Sequence, residues 1–195
     1  MAIETKRASR VRTASGGGGG VGPCSDPSYT AGTFETDFDP SFLNATICAR
    51  IREADELTTT RIIDANDPWA VDVHWELSGV LTSMICGKWN VRLILENLGP
   101  DGDDLALQSD GGLIDLDPNG NGSYDAHFSV PGGTVSVGTS GVPYEVDVVI
   151  SYLTNKVLNP KLPPTDPGYY LPGPMAGIVE FPLTMFFDEG VEIPD

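Results

Sequence analysis

The feature that most constrains the fold is a strict two-residue alternation of apolar and polar side chains, repeated along the chain. Val71, Val73, Trp75 and Leu77 alternate with Asp72, His74 and Glu76. Trp89, Val91, Leu93 and Leu95 alternate with Asn90, Arg92, Ile94 and Glu96. Tyr124, Ala126, Phe128 and Val130 do so with Asp125, His127 and Ser129, and Tyr144, Val146, Val148 and Ile150 with Glu145, Asp147, Val149 and Ser151. Val179, Phe181, Leu183 and Met185 continue the pattern around Glu180, Pro182 and Thr184. In a strand, successive side chains point to opposite faces, so each run has one face for a core and one for water. Pro182 has no N–H to give a neighbour and falls on the polar register, which predicts an edge strand there.

Shorter candidate strands lie at 46–52, 57–64, 111–116 and 133–137, and the only helical signal is a turn near Pro40–Asn44. Turn formers punctuate the runs: Gly99–Pro100, Asp101–Gly102, Gly111–Gly112, Asn119–Gly120, Asn121–Gly122 and Pro131–Gly132–Gly133. About seven to nine strands spaced this way predict an all-β protein, an antiparallel β-sandwich of immunoglobulin or fibronectin type or a jelly roll. At 195 residues and 40% apolar content the chain can bury one large core. Residues 1–23, with the run Gly16–Gly20, predict a disordered tail, and 24–195 a single sandwich domain. The segment 158–174 holds six prolines and predicts an extended surface connection.

Charge excludes some functions. The net charge is −17, yet Lys6, Arg7, Arg10 and Arg12 sit in the first twelve residues against Glu4 alone. The rest is strongly acidic, which disfavours nucleic acid and anionic membranes and favours cations or basic protein surfaces as partners. No run approaches the ~20 apolar residues of a membrane span, and the first 30 residues carry no apolar signal core. The expectation is a cytoplasmic protein without membrane insertion, exported, if at all, as part of an assembly. The three cysteines, Cys24, Cys48 and Cys86, are an odd number and are expected to be free thiols there. Cys48–Cys86 is the bridge considered for an oxidising setting, although Cys48, Arg50 and Arg52 share the face turned away from Ile47, Ala49 and Ile51.

The motif Asp117-Pro118-Asn119-Gly120-Asn121-Gly122 places oxygens at alternate positions, as the first half of a calcium loop does. Its twelfth position is Phe128 and no helices flank it, so it is no EF-hand. Calcium is the one cofactor considered, on Asp115, Asp117, Asn119, Asn121 and Asp125. The same residues also make an ordinary turn. Asp101, Asp103 and Asp104, and Asp64, Asn66 and Asp67, are further acidic loops. If they gathered at one end they would suit calcium-dependent glycan or ligand binding. His74 and His127 lack zinc spacing, no nucleophile elbow is present, and no carboxylate pair stands out for hydrolysis. A non-catalytic role is therefore expected, with no catalytic residues and a protein partner. Trp75 and Trp89 occupy apolar registers. Trp69, Tyr169 and Tyr170 are the aromatic candidates for partner binding. Asn44-Ala45-Thr46 fits a glycosylation sequon, discounted without a secretory signal.

Four segments, Asp67–Val73, Met84–Trp89, Leu116–Gly122 and Gly173–Gly177, together resemble uncharacterised bacterial β-sandwich proteins associated with phage-tail-like contractile injection systems. The resemblance covers about residues 65–187. It implies a structural, accessory or cargo role and supplies no catalytic residues.

Overall fold

The run around Val146 and Val148 becomes β10, Val142–Val157, a sixteen-residue strand at the centre of the larger of two sheets. The computed structural model describes residues 22–54, 59–99, 103–117, 119, 122–137 and 141–188. Most of the proposed tail, together with Asp101 and Asn121, lies outside them. Along one edge β10 pairs with β6 (Gly87–Asn97), which carries the short β7 (Leu105–Gln108) and β8 (Ile114–Asp115). Along the other it pairs with β11 (Tyr170–Glu180) and then β12 (Thr184–Phe187). β2 (Thr33–Thr36) adds to β11, and β4 (Ile62–Asp64) adds to β12 in parallel. The smaller sheet runs β1 (Thr30–Ala31), β3 (Asn44–Glu53), β5 (Trp69–Ser78) and β9 (Ser123–Val130), all antiparallel.

The two sheets pack face to face as an all-β sandwich, and alternation decides what enters the core. From the smaller sheet come Ile47, Ile51, Trp69, Val71, Val73, Trp75 and Phe128. From the larger come Trp89, Val91, Leu93, Leu95, Tyr144, Val146, Val148 and Ile150. Aromatic rings divide the core by end. Trp69 meets Phe186 at 5.3 Å between centroids, and Phe186 meets Tyr144 at 5.4 Å. At the opposite end Trp75 stacks on Tyr124 at 5.6 Å and meets Trp89 edge-on at 6.0 Å. Gly122, at φ +76, lets the turn before β9 lie against β5. A Cβ there would stand 2.4 Å from the Leu77 carbonyl oxygen.

Several expectations are corrected. Pro182 does not lie in an edge strand: residues 181–183 form a break between β11 and β12, both inside the sheet. The Phe181 N–H reaches back to the Val146 carbonyl at 2.9 Å, and the proline sits where no ladder bond is made. Residues 133–137 are turn and coil, not a strand. The Pro-rich connection is shorter than 158–174, because Tyr170–Pro174 already belongs to β11. β2 joins β11 from Met175 to Ile178, and next to it the Asp37 amide donates to the Pro174 carbonyl at 3.3 Å, a contact that needs no N–H from the proline.

Cysteine pairing is corrected too. Cys24 and Cys48 form a disulfide with Cα atoms 5.4 Å apart, and Cys86 is an exposed thiol. Cys48 does face away from the core. Cys86 precedes β6 in the other sheet, so the sandwich separates the two, while Cys24 arrives over the outer face of β3.

Truncating Ile150, fully buried at the sheet's centre, should cost about 3 kcal/mol of unfolding free energy, whereas Leu183→Ala, more than half exposed, should stay within about 0.5 kcal/mol. Urea denaturation of both variants checks this.

Candidate functional site

The core consumes the apolar registers, so chemistry is left to the two outer faces and the loops. On the smaller sheet the outward residues form cross-strand rows. Arg50, Asp72 and His127 lie side by side, and Cys48, His74 and Asp125 form the next row. Asp72 accepts from Arg50 Nε and Arg52 Nε, both at 2.9 Å, and faces His127 Nδ1 at 2.7 Å. Burial pushes its carboxyl up, but the hydrogen bonds from Arg52, Arg50 and His127 outweigh this and hold it down at about 2. His74 Nδ1 lies 2.8 Å from Asp125 and its Nε2 3.2 Å from Glu76. Both carboxylates only accept, so the two bonds coexist when the ring carries both protons. Ala70, small and one row beyond Asp72, leaves a groove of about 360 Å³ flanked by Arg52, His127, Ser129, Pro68 and Pro131.

The larger sheet's outer face is the reverse. Glu145 stands directly opposite Glu96, and Asp147 directly opposite Glu180. Like charges so placed destabilise a ladder. Asp147 lies among half-buried Ile94, Val149 and Ile178, and its Oδ1 is buried with no hydrogen-bond partner. Burial, then Glu145, Glu180 and Glu96, push its carboxyl up to about 6. The basic residues on this face are Arg92, one row away opposite Val149, and Lys88, which is paired with Asp115.

The residues singled out from sequence are dispersed. Trp69 is only 1% exposed, so it is core and no stacking platform. It continues the odd-numbered register of Val71, Val73 and Trp75, a signal already present in the alternation. Tyr170 is buried, with Lys88 Nζ 5.8 Å from its ring centre. Half-buried Tyr169 closes the connection through a 2.7 Å bond from Leu158 N. Asp115 pairs with Lys88 on the outer face of the larger sheet, while Asp125 holds His74 on the outer face of the smaller. Asp117 accepts from the Asn119 amide at 2.9 Å, closing the turn on itself. Of the proposed calcium ligands, Asp115 and Asp125 thus stand on opposite outer faces and Asn121 lies outside the described residues, and among the described residues no group of three or more His, Cys, Asp or Glu is arranged to hold a metal. The acidic loops also divide. The Asp64–Asp67 turn and Asp103–Asp104 lie at the Trp69 and Tyr144 end, and Asp115–Asp117 at the Trp75 end.

Among the described residues no helix is long and apolar enough to cross a membrane. Comparison with protein-family models, curated proteins and solved structures finds no match.

The two faces predict opposite pH behaviour. Asp72, lowered in the fold, contributes stability that is complete above its unfolded value near 4 and lost as pH falls towards 2. Asp72→Asn should cost about 1–2 kcal/mol at pH 7 and little at pH 2. Asp147, raised in the fold, carries no penalty below about 4 and the full penalty above about 6. Allowing for its partial exposure, Asp147→Asn should gain about 1 kcal/mol at pH 8 and nothing at pH 4. Thermal unfolding across pH reads both.

Proposed function

We propose that the protein is a non-catalytic interaction module, a structural or accessory component that binds a basic segment of a partner protein across the outer face of its larger sheet. The observation that carries this is the uncompensated set of Glu96, Glu145, Asp147 and Glu180 around a half-apolar centre. A partner's Lys or Arg side chains would neutralise it, while Ile94, Val149 and Ile178 supply apolar contact. Contrast with the smaller sheet supports the choice, because there each acidic side chain named already meets a cation or an imidazole. The resemblance to proteins of contractile injection systems suggests an assembly as the setting.

The alternatives draw less support. Calcium-dependent glycan binding would use the three acidic loops together, and the one that begins at Asp115 stands at the other end from the Asp64–Asp67 and Asp103–Asp104 loops. A hydrolase would need a recess over its carboxylate pair. Neither the groove beside Ala70 nor the recess between Ser28, Thr59 and Phe181 is lined by Asp147 or Glu180.

Calorimetric titration with a short Lys/Arg-rich peptide tests the reading. Binding should weaken with salt and drop about tenfold in the Glu145→Gln/Asp147→Asn variant, and Glu76→Gln on the opposite face should leave it unchanged. Absence of binding at low salt, or equal weakening by Glu76→Gln, would overturn the assignment.

A further inference from the structure

His74 presents an anomaly on an outer face. No second sheet covers that side of the smaller sheet, yet its side chain is only 6% exposed. The cover is the chain's own segment Gly22–Pro27. It passes over β3 and β5 as a 3-10 turn, Pro23–Ser25, before β1 joins the sheet. Cys24 Sγ lies 4.0 Å from the His74 carbonyl oxygen, and a Cβ at Gly22 would stand 3.3 Å from Glu76 Oε1. Cys48, to which Cys24 is bonded, is the residue directly opposite His74 in the ladder.

What holds this strap is the informative part. Among the described residues its hydrogen bonds are internal: Ser25 Oγ and the Ser25 amide donate to the Gly22 carbonyl, the Asp26 amide to that of Pro23, the Ser28 amide to Asp26 Oδ1, and the Tyr29 amide to the Asp26 carbonyl. Apart from the attraction between exposed Asp26 and the Arg50 guanidinium, direct polar attachment to the body starts one residue later. Thr59 Oγ1 donates to the Ser28 carbonyl at 2.8 Å, the Tyr29 ring lies 4.9 Å from the Arg50 guanidinium, and Thr30 and Ala31 pair with β3. Residues 22–27 are therefore fastened to the sandwich chiefly by one covalent bond, which lies outside the hydrophobic core.

We propose that the Cys24–Cys48 disulfide is a redox latch that keeps residues 22–27 closed over His74, and that its reduction opens the strap while the sandwich persists. A dithiol reductant supplies the chemistry. Its thiolate attacks one sulfur to form a mixed disulfide, its second thiol resolves that bond, and the reductant leaves as a cyclic disulfide. The two electrons and two protons end on Cys24 and Cys48 as thiols. Opening exposes His74 with its Asp125 and Glu76 partners, one row from His127 and the groove beyond it. A reducing compartment keeps the face open and an oxidising one closes it. The proposal does not rest on the basic-partner reading, which concerns the other sheet.

Carbethoxylation of the two histidines in the full chain, followed by mass spectrometry, tests the latch. A Cys86→Ala background removes the free thiol. His127, with a side chain 40% exposed, is the internal reference. Treatment with dithiothreitol should raise the His74 rate about tenfold or more, as for loss of local protection, and leave His127 unchanged. Cys24→Ser should show the fast rate without reductant. An unchanged His74 rate on reduction, a slow rate in Cys24→Ser, or acceleration of both histidines together through general loosening would each overturn the latch.

Discussion

The register of β10 against β6 and β11 is the constraint on which the rest of the molecule depends. It points Tyr144, Val146, Val148 and Ile150 into the core, the last three opposite Leu95, Leu93 and Val91. A slip of one residue would turn all of them to water. Each such side chain is worth about 1.5–3 kcal/mol when buried, whereas a like-charged cross-strand pair costs at most about 1 kcal/mol. The core therefore dictates the register, and the opposition of Glu145 to Glu96 and of Asp147 to Glu180 follows from it.

The same rule acting on the smaller sheet has a different outcome. There the register set by Val71, Val73 and Trp75 brings Asp72 between Arg50 and His127, and His74 between Cys48 and Asp125. One face is closed electrostatically and covered by a disulfide-bound strap. The other is left with an excess of one sign around a half-apolar centre. On that face Glu96, Glu145, Asp147 and Glu180 stand beside one another, and it is the face proposed here for a cationic partner.

Much of this was legible beforehand. Four of the five long alternations correspond to β5, β6, β9 and β10, because a strand buried on one face must repeat every two residues, whereas the fifth breaks at 181–183, so that Thr184 and Phe186 are buried and Leu183 is exposed. The turn formers fell between them. Strands β1, β2 and β7, of two to four residues at the sheet edges, carry too few side chains to show a period. Trp69 was misjudged by its place after Pro68, although its odd-numbered register already assigned it to the core. The prolines at 172 and 174 concealed a strand, since composition does not show where no N–H is needed.

The sequence by itself determined that the chain is an all-β sandwich, which side chains of β5, β6, β9 and β10 point inward, and that Cys48, both histidines and the carboxylates at 96, 145, 147 and 180 point outward. Alternation encodes this locally, within each strand. Only the tertiary structure decided which outward residues meet: arginines with Asp72, carboxylates with carboxylates, and Cys24 rather than Cys86 with Cys48. Pairing is a property of two strands and their register, and the path of residues 22–27 over the smaller sheet is a property of the assembled fold. Neither is written in the period of a single strand.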